Sequence, residues 1–342
     1  MIDKTEQQAE MLTNRLQKRF RHLKKWAQRT GVGAFRLYDR DIPEIPLVLD
    51  FYGDNTKLQE AAICGSLYKR PYEKDDNDEE KWLSVMKKSA AAALDIKQEH
   101  IFIKQRQRQR GTFQYEKMGQ TRFEKIISEG GLSFKVNLSD YLDTGLFIDR
   151  RLLRAMIRTE AAGKKLLNLF SYTGAFSVYA AAGGAVSTDS VDLSNTYLNW
   201  SRENFSLNGM SAQLIQMWDF LSNNSANKLI RADVLEFLEK AITAKKRWDI
   251  IVLDPPAFSN SKKMTDNLDI KRDLIVLLDK CLKLLTPDGK IFLSLNIRSG
   301  APKPEELEAE LKNTCVIDLE KMIIDEDYKG RKIPKTFCVK RI

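Results

Sequence analysis

Three carboxylates and one small-residue loop stand out as groups able to do chemistry. Asp192 closes the run Ala185 to Val191, and Asp233 follows Leu229-Ile230-Arg231-Ala232. Asp254 follows Asp249 to Leu253 and opens the string Asp254-Pro255-Pro256-Ala257-Phe258. Upstream, the apolar run Leu166 to Phe170 breaks at once into Ser171-Tyr172-Thr173-Gly174. Carboxylates accept hydrogen bonds from hydroxyls and amines, and the N–H groups of a tight loop feeding a helix can hold an anionic group. Two prolines stiffen the turn at Asp254, and an aromatic ring beyond them can stack on a flipped base. Taken singly, each acid could equally be the N-cap of the helix behind it. Three together, beside a glycine-bearing loop, favour a nucleotide-like ligand.

Such groups need a scaffold that brings strand ends together. Four short runs each end in a turn or an acid with helical stretches between them, the rhythm of a parallel sheet covered on both sides. Open sheets of this kind bind ligands along the edge where the strands end. The order continues with a helix over 269–285, a turn at Pro287-Asp288-Gly289, a strand over 290–295, a helix from Pro302 to near Lys312, and strands over 315–323 and 336–340. Residues 209–228 exceed an ordinary connection and predict a short insertion with its own helical turn. Phe134 to Leu138 and Leu146 to Ile148 bracket Asp143-Thr144-Gly145 as a hairpin, which puts a domain boundary in Glu129-Gly130-Gly131. The division expected is residues 1–132, a basic helix with an α+β RNA-binding domain, and residues 133–342, the catalytic domain with its leading hairpin.

The amino-terminal part has its own character. Residues 6–30 read as one amphipathic helix stopped by Gly31, with Leu12, Leu16, Phe20, Leu23 and Ala27 on one face. Between residues 11 and 40 there are nine Lys or Arg and one acid. That is more lopsided than solubility requires, and Arg15, Arg19 and Lys24 become candidate phosphate contacts. Short β-like pieces follow, then an acidic loop and an Ala- and Lys-rich helix from about Asp78 to Leu94. In Ile101 to Gly111, a strand would place Lys104, Arg106, Arg108 and Arg110 on one side, a rail for a phosphate backbone or an exposed edge strand guarded against pairing.

Composition sets the bounds. The 342 residues carry a formal charge of +9, with 43% hydrophobic and 30% charged residues, as a globular protein would. No run of eighteen apolar residues predicts a membrane span, and Met1 to Glu6 lacks the apolar core of a secretory signal. Cys64, Cys281, Cys315 and Cys338 are far apart and only two His are present, which argues against a metal site and for a reducing, cytoplasmic setting.

The single Gly174 departs from the dinucleotide fingerprint G-x-G-x-x-G, so a pyrophosphate site is weakly supported. The loop can instead hold an amino-acid tail, Asp192 can accept from both ribose hydroxyls, and Asp233 from an adenine amino group. An adenosine with an amino-acid tail and no phosphates is S-adenosyl-L-methionine.

Asn168-Leu169-Phe170-Ser171-Tyr172-Thr173-Gly174, Val191-Asp192-Leu193-Ser194 and Asp254 to Lys262 resemble the class I methyltransferases of large-subunit ribosomal RNA. The resemblance extends through Asn14-Arg15-Leu16, Arg36-Leu37-Tyr38-Asp39, Asp50 to Asp54, Tyr115-Glu116-Lys117 and Leu142 to Asp149. It is strongest to the N7-guanine half of the bifunctional bacterial 23S rRNA guanine N2/N7 methyltransferases. It implies a Rossmann-like α/β fold with a mainly parallel seven-stranded sheet, preceded by a smaller α+β domain. It implies further that Asn168, Phe170, Ser171, Tyr172, Thr173, Gly174, Asp192, Leu193, Asp233 and Asp254 hold the donor, with Thr144, Asp149 and Arg151 closing over it. Asp254, Pro255 and Phe258 would face the target base. The substrate implied is 23S rRNA, protein-free or in an early assembly intermediate. A separate N2-methyltransferase is the partner expected of a stand-alone N7 form.

Covalent C5-cytosine chemistry needs a thiolate, and neither Asp254 to Phe258 nor Ser294-Leu295-Asn296 supplies one; Cys281 reads as a core residue. Guanine N7 carries an in-plane lone pair and no proton, so its methylation needs alignment and no general base. An exocyclic amine could use Asp254 and Pro255 as acceptors. The residues leave N7 and N2 open, and the resemblance favours N7. An RNA-binding assembly protein with a vestigial site and a protein or small-molecule methyltransferase are the other classes weighed. Intact polar residues at the strand ends disfavour the first, and the basic segments disfavour the second.

Overall fold

The computed structural model describes residues 3–69, 75–105, 122–259, 268–297 and 300–342. They divide into two compact units, Met1–Thr144 with Glu326–Arg331, and Gly145–Asp325 with Lys332–Ile342.

The first unit opens with α1, Lys4–Thr30, capped by the Asp3 side chain and ended by Gly31 at φ 65°. Its buried face is Gln8, Leu12, Leu16, Phe20, Leu23, Trp26 and Ala27, containing every position expected from the periodicity. Each fully buried Leu or Phe contributes roughly 1.5–3 kcal/mol relative to exposure. The helix shares a core with β1 (Ala34–Asp39), β2 (Leu47–Tyr52), β3 (Ala62–Leu67) and α2 (Asp76–Leu94). The sheet order is β1-β2-β3-β4, with β4 (Ile101–Gln105) parallel to β3 across the α2 crossover.

Next come β5 (Glu124–Glu129) and β6 (Leu132–Asn137), an antiparallel hairpin turned by Gly130 and Gly131 at φ 60° and 76°. Two successive positive φ angles suit a tight hairpin turn, and two glycines supply them without strain. Gly130-Gly131 is therefore a turn within the first unit and not a domain boundary. The segment around Thr144 is loop, not the turn of a hairpin. The Gly33 N–H donates to the Ser128 carbonyl (2.7 Å) and Tyr52 Oη lies 3.0 Å from Thr144 Oγ1, so the contact division falls at Thr144 and not at residue 132.

The second unit begins with a 3-10 turn, Ile148–Arg150, and runs α3 (Arg151–Glu160), β7 (Lys165–Leu169), α4 (Ala175–Ala182), β8 (Ser187–Asp192), α5 (Asn195–Leu207), β9 (Gln213–Gln216), β10 (Asn227–Arg231), α6 (Val234–Thr243) and β11 (Trp248–Leu253). It continues with a two-stranded pair, β12 (Phe258–Ser259) and β13 (Leu268–Asp269), then α7 (Ile270–Lys283), β14 (Leu285–Leu295), α8 (Pro304–Leu311), β15 (Thr314–Asp318) and β16 (Lys335–Arg341).

Among the described residues, its sheet has eight strands in the order β15-β16-β14-β11-β7-β8-β10-β9. All pairs from β14 to β9 are parallel, and β16 is antiparallel to both of its neighbours. The fold is thus the Rossmann-like α/β class expected, with one strand more than seven. The extra strand is β9, from the 209–228 insertion, which also supplies a 3-10 turn at Met217–Asp219. The turn expected at Pro287-Asp288-Gly289 is a register shift inside β14. Cys281 is fully buried in the core with its thiol pushed up by burial, as a packing residue. No helix among the described residues is long and apolar enough to cross a membrane.

Candidate donor site at the strand ends

The register aligns the strand ends. Val191 pairs with Leu169, Leu169 with Leu253, and Leu253 with Leu293, while Arg231 pairs with Asp192. Asp192, Phe170, Asp254 and Ser294 therefore start or occupy one row, where a parallel sheet gathers its ligand-binding groups.

The loop after β7 is bent three times. Phe170, Tyr172 and Gly174 have φ of 56°, 50° and 73°. Two aromatic residues in the left-handed region are costly, and such strain persists where surrounding bonds impose it. Here the Ser171 N–H donates to the Val191 carbonyl (3.0 Å), the Tyr172 N–H to Asp192 Oδ2 (2.9 Å) and the Gly174 N–H to the Ser171 carbonyl (2.8 Å). Gly174 admits no side chain, because a Cβ there would lie 1.9 Å from Ser201 Oγ. Thr173 Oγ1 donates to the Gly145 carbonyl (2.6 Å), and Asn204 Nδ2 to the Thr173 carbonyl (2.9 Å). Ser171 Oγ is buried with no hydrogen-bond partner among the described residues.

Asp192 is held by main-chain donors: Ser194 N–H reaches Oδ1 at 2.8 Å, opposite the Tyr172 bond to Oδ2. Burial pushes its carboxyl up to about 6, against the lowering effect of the N–H groups of Ser194, Tyr172 and Leu193. Each oxygen keeps a lone pair beyond its main-chain bond. Asp233 caps α6, its Oδ1 accepting from the N–H groups of Leu235 and Glu236. Asn168 is buried and donates to Ser177 Oγ (3.0 Å), which lies 2.7 Å from Ser190 Oγ, so its amide ties β7 to α4 and β8.

Asp254 has a partner that the sequence did not disclose. Arg150, 6% exposed, donates through Nε to Oδ2 (3.3 Å) and through Nη2 to Oδ1 (3.1 Å) of Asp254, and through Nη1 to Asp149 Oδ2 (2.6 Å). Burial works against the charge of this guanidinium, but the two carboxylates outweigh it and hold its pKa above the ordinary range. The guanidinium also lies 5.2 Å from the Phe147 ring centroid, Phe147 lies 5.2 Å from Tyr172, and Tyr172 lies 4.5 Å from Tyr197. The ion triad and the ring row adjoin the bent loop.

Other expected site residues stand as follows. Arg151 is buried and pairs with Asp325 (2.7 Å), which makes it a structural ion pair here rather than a group open to the donor. Thr144 lies with Tyr52 in the first unit. Pro255 is buried next to Asp254; Phe258 opens β12, and its side chain lies outside the described residues. Lys104 is buried and donates to the carbonyls of Tyr141 and Leu142, so it is an internal tie and not a phosphate contact. Arg106, Arg108 and Arg110 lie outside the described residues. Arg15 pairs with Asp41 (2.7 Å), Arg19 donates to the Asp327 carbonyl (3.4 Å), and Lys24 is half-buried.

Residues 55–312 match the family model of the S-adenosylmethionine-dependent methyltransferases. The chain is similar to ribosomal RNA large subunit methyltransferase K of Neisseria meningitidis serogroup B, 44% identical over 327 residues, covering 96% of this chain and 86% of that protein. It is similar to ribosomal RNA large subunit methyltransferase K/L of Shewanella loihica, 39% identical over 321 residues, where 94% of this chain covers 42% of the relative. For the K/L protein of Methylococcus capsulatus the figures are 40% over 323 residues, 94% and 41%, so the chain spans less than half of these longer relatives. Among solved structures, SMU.776, a methyltransferase complexed with SAH, superposes with a TM-score of 0.71 at 24% identity over 97% of this chain and 81% of that one. A protein from Streptococcus mutans described as a SAM-dependent methyltransferase gives 0.70 at 22% identity with the same coverage. At those identities the likeness is one of fold.

Proposed function

The chain belongs to the S-adenosylmethionine-dependent methyltransferases, in the family of the ribosomal RNA large subunit methyltransferases K, and from that premise we propose that it methylates N7 of a guanine in 23S rRNA. The donor supplies a methyl group activated by a positively charged sulfur. Protein-free rRNA or an early assembly intermediate in the cytoplasm is the substrate we favour.

The chain's residues fit this donor. Asp192 offers one lone pair on each oxygen to the two ribose hydroxyls, already aimed by Tyr172 and Ser194. Ser171 brings a buried hydroxyl in need of a partner, and Gly174 lets the bent loop pack tightly on Ser201 of α5. Asp233, anchored by its cap bonds, keeps acceptor capacity for an adenine amino group.

The observation that carries the N7 reading is the Arg150–Asp254 pair. Both oxygens of Asp254 accept from a buried guanidinium, which fixes the carboxylate in place and occupies one lone pair on each oxygen. Such a carboxylate can accept hydrogen bonds from the amino and imino edge of a guanine and hold it in place. Its lone pairs toward Arg150 are already taken in holding the ion pair, and N7 has no proton to remove. The work left to the protein is alignment and electrostatic support.

The test is to incubate unmodified, protein-free 23S rRNA with the enzyme and labelled donor, digest to nucleosides and identify the product by mass spectrometry. N7-methylguanosine is expected, with the modified site sensitive to borohydride and aniline cleavage. N2-methylguanosine alone would overturn the N7 assignment, and no transfer to rRNA would overturn the substrate.

A further inference from the structure

The cations of α1 fall into two rows with different surroundings. The inner row is occupied within the first unit. Arg15 is bound by Asp41, Arg19 reaches the Asp327 carbonyl, and Arg331 adds a further cation to Asp39 and Asp41 at 4.0 and 3.4 Å. The outer row is Lys18, Arg21, Lys25 and Arg29, all exposed. Among the described residues no carboxylate lies within ion-pairing distance of these four. Glu326, which borders the row, is taken up by His22 and Lys329.

The spacing of the outer row is three, four and four residues. At 3.6 residues per turn these positions fall in an arc of roughly 80° opposite the buried face, and they extend along about 16 Å of helix axis. Successive cations are about 4.5–6 Å apart along the axis, close to the separation of neighbouring phosphates on a nucleic-acid strand. No acid occurs in α1 after Glu10. A surface shaped only for solubility mixes both signs. α2 does so, with Asp76, Asp78, Glu79 and Glu80 beside Lys81, Lys87 and Lys88. The outer face of α1 has a single sign, is rigid because the opposite face is packed in the core, and is not neutralised from within.

We propose that Lys18, Arg21, Lys25 and Arg29 form a contact surface for the phosphate backbone of the RNA substrate. This rests on the rRNA reading above and replaces Arg15 and Arg19 as the phosphate-binding positions of the helix. Contacts of this kind fix the register and orientation of the RNA and carry no base specificity.

The test replaces all four by glutamine, which keeps helix propensity and length, and measures binding to unmodified, protein-free 23S rRNA from 50 to 300 mM KCl. Lys81→Gln with Lys88→Gln serves as a charge control on α2, and Lys18→Arg with Lys25→Arg as a charge-retaining variant. Affinity for S-adenosylhomocysteine reports the fold of each protein and should be unchanged throughout. The quadruple variant should bind RNA at least tenfold more weakly at 100 mM KCl. Its slope of log K against log salt should be flatter by about three, as expected for the loss of four phosphate contacts. The control and charge-retaining variants should bind as the parent does. A parental salt slope in the quadruple variant, or an equal loss in the α2 control, overturns the surface while leaving the rRNA reading intact. Failure of the parent itself to bind or methylate 23S rRNA overturns both.

Discussion

Replacing Asp192 by asparagine tests the donor site most directly. Burial lifts this carboxyl to about 6 despite the N–H groups that favour its charge, whereas an unfolded aspartate titrates near ~3.9. The folded pKa is the higher one, so the folded chain binds the extra proton between about pH 4 and 6. The stabilisation is present below that window and is lost as pH rises through 6. Two units correspond to a ceiling of roughly 3 kcal/mol of strain at pH 7, less what solvent at this partly exposed residue screens. Asparagine removes that cost but leaves either the Tyr172 or the Ser194 N–H without its acceptor, a loss of about 1–3 kcal/mol. The two effects oppose each other, so Asp192→Asn should unfold in urea within about 1–2 kcal/mol of the parent.

Donor affinity should respond quite differently. Charge-assisted bonds to the ribose are stronger than neutral ones by enough to weaken S-adenosylhomocysteine binding about tenfold in the variant at pH 7.5. In the parent, the ionised fraction falls from about 97% at pH 7.5 to about 9% at pH 5 for a pKa near 6. Its dissociation constant should therefore rise about fivefold over that range if the protonated form binds as weakly as the variant, whose own constant stays nearly flat. Calorimetric titrations at four pH values would show both. An unchanged constant in Asp192→Asn, or a flat parental profile, would place the ribose elsewhere.

Two further substitutions probe the surroundings. Arg150→Met leaves Asp149 and Asp254 without their shared cation and should cost about 3–5 kcal/mol in urea unfolding. It should also lower the rate of methyl transfer at saturating donor by about tenfold or more, since Asp254 then loses the guanidinium that fixes its carboxylate; an unchanged rate would reduce Arg150 to packing. Gly174→Ala should lower stability by about 1–3 kcal/mol for the backbone conformation alone, with the overlap on Ser201 added. Ser201→Gly in the same chain should recover the overlap but not the backbone cost, and full recovery in thermal melts would show the left-handed φ to be unimportant.

The sequence alone determined the features that neighbouring residues settle among themselves. The face of α1 followed from Leu12, Leu16, Phe20, Leu23 and Ala27, because helix periodicity lies within a few turns of one segment. The strand–turn–helix order around Gly174, Asp192 and Asp254 followed for the same reason, and with it the edge on which these groups gather. Gly130-Gly131 turns a hairpin because β5 and β6 pair across it, and a glycine pair alone does not say whether its flanks pair or part. Tertiary structure decided what depends on partners far along the chain. Arg150 meets Asp254 across 104 positions, and no local signal distinguishes it from Arg151, which pairs with Asp325 instead. Lys104 looked like the first post of a charged rail and is buried, because the carbonyls of Tyr141 and Leu142 come to its ammonium. Residues Glu326–Arg331 join the first unit although the chain around them belongs to the second, through Asp327 on the Arg36 N–H and Arg331 on Asp41. Charge and periodicity are properties of a segment, but which cation stays open to solvent depends on the acids that folding brings beside it.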